Sequence, residues 1–147
     1  MKVTSFSGVI PLLCGMTTAN TYIKIYTSLG YLFYSVAAGD GTVRTAEVDE
    51  LKRLVKEKWL PLEGSRDEFG TDAAHYIEMS FDFALGEEMD GEEAYERFTD
   101  EYPELAPHFD AGLKRTVRET AAAIADAFYG TNKEEQKHLE QIGRLLA

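Results

Sequence analysis

The chain has 147 residues, a length suited to one domain with a single closed core. A hydrophobic content of 44% and only four prolines argue against a disordered chain. Fifteen basic against 26 acidic residues give a net charge of −11, which argues against a surface built for nucleic-acid phosphates or anionic lipid.

The chain opens with Lys2 and the apolar run Val9-Ile10-Pro11-Leu12-Leu13-Cys14. That run is short, is broken by Pro11 and precedes no small-residue cleavage site, so it does not read as a secretory leader. Residues 1–16 read as an N-terminal arm, with Met16 a candidate internal start. Cys14, the one cysteine, has no internal disulfide partner, which suits a reducing cytoplasm.

Residues 17–147 read as one helical domain. From Thr17 to Ala37, Tyr22, Ile25, Tyr26, Leu29, Leu32, Phe33 and Val36 recur at helical spacing. The run carries Lys24 and is periodic rather than uniformly apolar, so it does not read as a membrane span. Gly30 within it invites close packing of a neighbour, while Tyr31 and Tyr34 lie off the stripe and read as surface or a second contact face. Gly39-Asp40-Gly41 ends the helix. A second helix over Thr45 to Trp59 carries Val48, Leu51, Leu54, Val55 and Trp59. Its early acids and late lysines suit the helix dipole.

Thr71 is a candidate cap for a third helix ending near Gly86, with Ala74, Ile77, Phe81 and Ala84 apolar. Asp90 can cap a fourth, stopping before Pro103. A fifth over Asp110 to Tyr129 carries Leu113, Val117, Ala121, Ile124 and Phe128. Asn132 to Glu135 resembles a capping box. It opens a last helix with Leu139, Ile142, Leu145 and Leu146 apolar. Nothing alternates like a strand. The expected fold is all-α, a compact bundle of about six to seven helices.

The acidity is local. Between Glu63 and Glu104 stand 15 Asp/Glu and two basic residues, Arg66 and Arg97, a net of −13. Such a stretch can be a solvated helix face, or a cation site or docking surface for a basic partner.

Two helix–loop–helix units look related. In the first, Gly41-Thr42 is followed by Glu47, Leu51 and Leu54. In the second, Gly130-Thr131 is followed by Glu135, Leu139 and Ile142. With these motifs the sequence resembles the tellurite-resistance TerB family, whose helical domains carry two units of the form A-x-A-D-G-x-[IV]-[ST]-x-x-E-x-x-x-[LI]. The first unit matches at Ala38, Asp40, Gly41, Val43, Glu47 and Leu51. The second matches at Ile124, Ala125, Asp126, Gly130, Glu135 and Leu139. Arg44 departs from the family's Ser or Thr, and Asp126 stands four residues before its glycine rather than beside it.

The resemblance implies a compact domain in bacterial cytoplasm, an acidic surface that binds divalent metal, and a role in stress response or scaffolding beside partner proteins. The family name records a phenotype, not a reaction. Asp40, Glu47 and Glu50 are the first candidate metal set, with Asp126 and Glu135 the second. Hard oxygen donors suit Ca²⁺ or Mg²⁺. The same residues can be structural: Asp40-Gly41 makes a turn, and Glu47 can satisfy free N–H groups at a helix start. An EF-hand does not fit, because Val36 and Ala38 would occupy its first two ligand positions.

No nucleophile or phosphate-binding motif is present in the sequence. The chain therefore reads as a non-enzymatic acidic interaction module with a protein partner of basic surface, its oligomeric state open and a dimer permitted. The alternative is a di-iron-like enzyme using Asp72/His75 and Glu135/His138, since D-x-x-H and E-x-x-H place each pair on one helix face. Glu135 in a first turn, and His75 away from the apolar stripe, depart from that pattern.

Overall fold

A computed structural model describes residues 10–127 and 133–147 of the chain. Among the described residues the fold is all-α with six α-helices: α1 (Ile10–Ala37), α2 (Thr45–Leu54), α3 (His75–Gly86), α4 (Gly91–Leu105), α5 (Ala111–Asp126) and α6 (Lys133–Leu146). A π-helical turn, Val55–Trp59, continues α2, and a 3-10 turn, Ala106–His108, follows α4. None of these helices is long and apolar enough to cross a membrane.

α1 is the central element, packed chiefly against α3 and α4 and also against α5. Its stripe of Ile25, Tyr26, Leu29, Leu32, Phe33 and Val36 is fully buried, and Ser28, Tyr34 and Ser35 are buried too. A helix enclosed on most sides needs apolar residues beyond one stripe. Of the two readings open for Tyr34, surface or second contact face, the second holds: its ring meets Phe81 edge-on at 5.6 Å and its hydroxyl donates to the Met89 carbonyl at 2.7 Å. Tyr31 is half-buried, with the Arg97 guanidinium 5.1 Å from its ring centre. Leu51, Leu54 and Val55 join the core with Trp59, whose indole N–H donates to Thr120 Oγ1 at 3.1 Å and ties the π turn to α5.

Four helix boundaries differ from the sequence reading. α1 begins at Ile10, seven residues before Thr17, so residues 10–16 are helical. Pro11 sits in the first turn, where its missing N–H has no helical partner to lose. α3 begins at His75 rather than after Thr71, because side chains compete for the backbone there. Thr71 N–H donates to Asp67 Oδ1 at 2.9 Å, and Asp72 Oδ1 accepts from Ala74 N–H at 3.0 Å. α4 passes through Pro103 and ends at Leu105. Pro103 is exposed and two residues from the end, where a lost backbone bond costs least. α5 ends at Asp126, and the expected continuation to Tyr129, with Phe128, Gly130 and the Asn132 cap, lies outside the described residues.

Asp90 caps α4 as expected, and Asp110, at the expected start of α5, caps that helix. Asp90 accepts from Glu92 N–H at 3.1 Å, and Asp110 accepts from Leu113 N–H at 2.8 Å. Asp110→Ala is expected to lower stability by about 1 kcal/mol, read as a shift in the urea midpoint. An unchanged midpoint would mean that solvent serves the Leu113 N–H equally well.

Candidate carboxylate site at the α1–α2 turn

The turn from Gly39 to Arg44 joins the buried end of α1 to α2. Gly41 adopts φ +89°, a conformation glycine allows without a Cβ clash. Asp40 Oδ1 accepts from Thr42 N–H at 3.1 Å, closing an Asx turn. Asp40 Oδ2 receives the Arg44 guanidinium at 2.6 Å. Three residues after Arg44, Glu47 Oε1 accepts from Arg44 N–H at 2.8 Å, the reciprocal half of a capping box. The capping role expected for Glu47 is therefore real, and so is the turn role expected for Asp40.

Capping does not account for where Glu47 sits. Its side chain is 1% exposed, and Glu135, in the first turn of α6, is 3% exposed. Glu135 packs its Cγ over Gly39. Burial pushes the Glu47 carboxyl up to about 7, the nearby Glu135 and Asp40 carboxylates add to the rise, and the Arg44 N–H and guanidinium oppose it. Burial would also raise Asp40, but hydrogen bonds from Arg44 and from Thr42 N–H outweigh it and hold its carboxyl below the ordinary range. Arg44 is in turn raised, by Asp40 first and then by the field of Glu47 and Glu135. Asp40, Arg44, Glu47 and Glu135 thus act on one another's charge, at the turn before α2 and the start of α6.

The five sequence-selected residues divide into two groups. Asp40, Glu47 and Glu135 interact electrostatically. Glu50 does not join them. It lies on the outer flank of α2, held by Arg53 in a fork with Nε at 2.9 Å and Nη2 at 2.7 Å. The Arg53 hydrogen bonds keep its carboxyl below the usual range. Asp126 is exposed at the end of α5 and lines, with Asp49, Glu50 and Arg53, a shallow cleft of about 590 Å³ between α2 and α5. Among the described residues, no group of three or more His, Cys, Asp or Glu side chains already has the geometry to hold a metal ion.

The two carboxylate–histidine pairs are also placed apart. His75 Nδ1 lies 2.9 Å from Glu78 Oε1, while Asp72 caps the turn before α3. His138 turns toward α1 and α4: its Nε2 is 2.8 Å from Ser35 Oγ and its ring meets Tyr95 edge-on at 4.7 Å. Asp72 stands in the field of Tyr26, nine residues before Ser35 on α1, a separation of about 13 Å along a helix axis.

His138 and Ser35 line a cleft of about 540 Å³ that sequence reasoning missed, with Tyr95, Asp90, Glu92, Glu96 and Glu134 around it. Burial holds the His138 ring below its ordinary pKa, against a smaller opposing contribution from Gln141. The Ser35 hydroxyl donates to the Leu32 carbonyl at 2.5 Å, which leaves its oxygen as acceptor for a neutral imidazole N–H. Ser35 is buried and Leu32 already holds its proton, so the pair reads as a structural clasp between α1 and α6. No family model, curated protein or solved structure matches this chain.

Proposed function

We propose that the chain is a non-enzymatic, acidic helical interaction module of the TerB type, acting in bacterial stress response or scaffolding in the cytoplasm. In this reading the carboxylates at the α1–α2 turn take a divalent cation and a protein partner with a basic surface docks on the acidic side. The observation that carries it is the burial of Glu47 and Glu135 together with the electrostatic influence of Glu135 on Glu47. Each is the glutamate of one of the two related sequence units, and both are buried within the same electrostatic field.

Two buried carboxylates within one another's field are costly when both are charged. A proton on one relieves that cost, and so does a cation. Asp40 adds a third hard oxygen donor at the rim, so the donor set suits Ca²⁺ or Mg²⁺ rather than a soft metal. Arg44 is the chain's own answer to the same problem. Its guanidinium neutralises Asp40 at 2.6 Å, and an incoming cation would have to displace it. A bound cation would remove the repulsion, fix the entry to α2 and seat α6 against Gly39, which shapes the neighbouring surface.

Calorimetric titration of EDTA-treated protein with Ca²⁺, then Mg²⁺ and Zn²⁺, tests this. Micromolar Ca²⁺ or Mg²⁺ binding is expected, lost in Asp40→Asn/Glu47→Gln and tightened in Arg44→Ser. Absence of binding at millimolar metal would overturn the cation part of the reading and leave these carboxylates as caps.

A further inference from the structure

Among the described residues, four large hydrophobic side chains are exposed: Leu62 at 44%, Phe69 at 83%, Met79 at 50% and Phe83 at 50%. The last three fall within 15 residues of chain, inside the stretch of net charge −13. Met79 and Phe83 are four apart on α3, so they sit on successive turns of one side. That side is opposite Ile77, Phe81 and Ala84, which enter the core. Tyr76, three residues before Met79, continues the stripe toward the start of α3. Its hydroxyl donates to Asp67 Oδ2 at 2.8 Å.

Asp67 makes the connection to Phe69. Its other oxygen accepts from the N–H groups of Phe69 and Thr71, both at 2.9 Å, and Arg66 Nη1 donates to the Gly70 carbonyl at 2.7 Å. Asp67 N–H donates to Thr71 O at 2.9 Å, closing the loop on itself. The most exposed aromatic described in the chain therefore stands on a fixed loop, so little ordering entropy remains to be lost when it is buried against something else. Apolar residues scattered singly over a surface are ordinary, whereas here Tyr76, Met79 and Phe83 share one side of α3 and the Tyr76–Asp67 bond holds the Phe69 loop at the start of that helix.

The surrounding charge selects the occupant. Glu68, Asp72, Glu78, Asp82, Glu87 and Glu88 flank this apolar strip in sequence. Of the nearby bases, Lys52 is held by Asp82 and Arg66 by the loop. A second copy would bring the same acidic stretch against itself, and anionic lipid would be repelled likewise. We propose that this face docks a basic amphipathic helix of a partner protein, its apolar side on Met79 and Phe83 with Phe69 as anchor, and its Lys/Arg residues against the flanking carboxylates. A Met–Phe surface adapts to varied apolar side chains. The proposal rests on the interaction-module reading but not on the cation.

The test uses the ¹⁵N-labelled full chain titrated with a designed 18-residue Leu/Lys amphipathic helix, and with the same peptide carrying Glu for Lys. Binding of the Leu/Lys peptide alone is expected, with amide shifts over residues 66–70 and 76–83. Met79→Ser/Phe83→Ser should weaken it at least tenfold with the urea midpoint unchanged. Shifts confined to α4 and indifferent to that double variant would overturn this face while leaving the module standing. No binding of the Leu/Lys peptide would overturn both. A dimer in sedimentation that the double variant dissolves would replace the partner helix with a second copy.

Discussion

Alanine at position 30 is expected to destabilise the fold by about 2–3 kcal/mol, although alanine is the better helix former. Gly30 lies in the middle of α1, where exchange for alanine would by propensity alone gain up to about 1 kcal/mol. Sterics decide otherwise. A Cβ built on Gly30 overlaps Ser80 Oγ and the Ile77 carbonyl oxygen, the two groups α3 presents at its closest approach to α1. Ser80 cannot swing away freely, because its hydroxyl donates to the Thr27 carbonyl at 2.8 Å. The Ile77 carbonyl is backbone and moves only if α3 moves.

Gly143 in α6 is the control, since a Cβ there meets nothing within 4 Å. Gly143→Ala is expected to gain about 0.5–1 kcal/mol. Urea midpoints at constant m separate the two outcomes. Gly30→Ala/Ser80→Ala should recover part of the loss and no more, because the carbonyl remains. A gain in Gly30→Ala equal to that in Gly143→Ala would show that α1 and α3 are not in close contact.

The close approach at Gly30 was legible in the sequence because glycine weakens a helix, and a strongly apolar helix that keeps one inside its stripe points to a neighbour packed against it. The core was legible from periodicity. Ile25, Leu29, Leu32, Leu51, Ile77, Val117 and Ile124 follow a 3.6-residue period, and all are fully buried. Boundaries set by side chains were less so. Asp67 and Asp72 hold a turn that delays α3, and nothing in their spacing tells a turn from a helix start. The carboxylate site was legible only in part. Spacing grouped Glu47 with Glu50, whereas burial groups Glu47 with Glu135. Arg53 and Glu57 stand three and seven residues after Glu50, a spacing that marks Glu50 as part of a surface ion-pair ladder. The cleft of Ser35, Tyr95 and His138 draws on three helices more than 40 residues apart, and periodicity within one helix carries no information about such a meeting.

Stability is expected to fall by up to about 3 kcal/mol as pH rises from about 4.5 to 7, through Glu47. Its carboxyl is raised from an ordinary value of 4.5 to about 7 in the folded chain. Across that window the folded state therefore binds more protons than the unfolded state, and stability is lost as pH rises. Glu47→Gln keeps a carbonyl oxygen for the Arg44 N–H and cannot ionise. The variant should match the wild type near pH 4.5 and exceed it by up to about 3 kcal/mol at pH 8.

His138 acts in the opposite sense. Its folded pKa lies below the ordinary 6.5, so the unfolded chain takes up the proton first and His138 removes stability as pH falls below that value. The two groups squeeze the fold from both sides, and His138→Gln isolates the glutamate. Urea midpoints at half-unit steps from pH 4.5 to 8, in EDTA, give both slopes. Adding millimolar Ca²⁺ at pH 8 then separates proton from cation. A cation that stabilises the wild type but not Glu47→Gln replaces the proton that Glu47 otherwise holds. A flat profile in the His138→Gln background would mean that Glu47 is ionised and satisfied at neutral pH, with Arg44 as sufficient counter-charge.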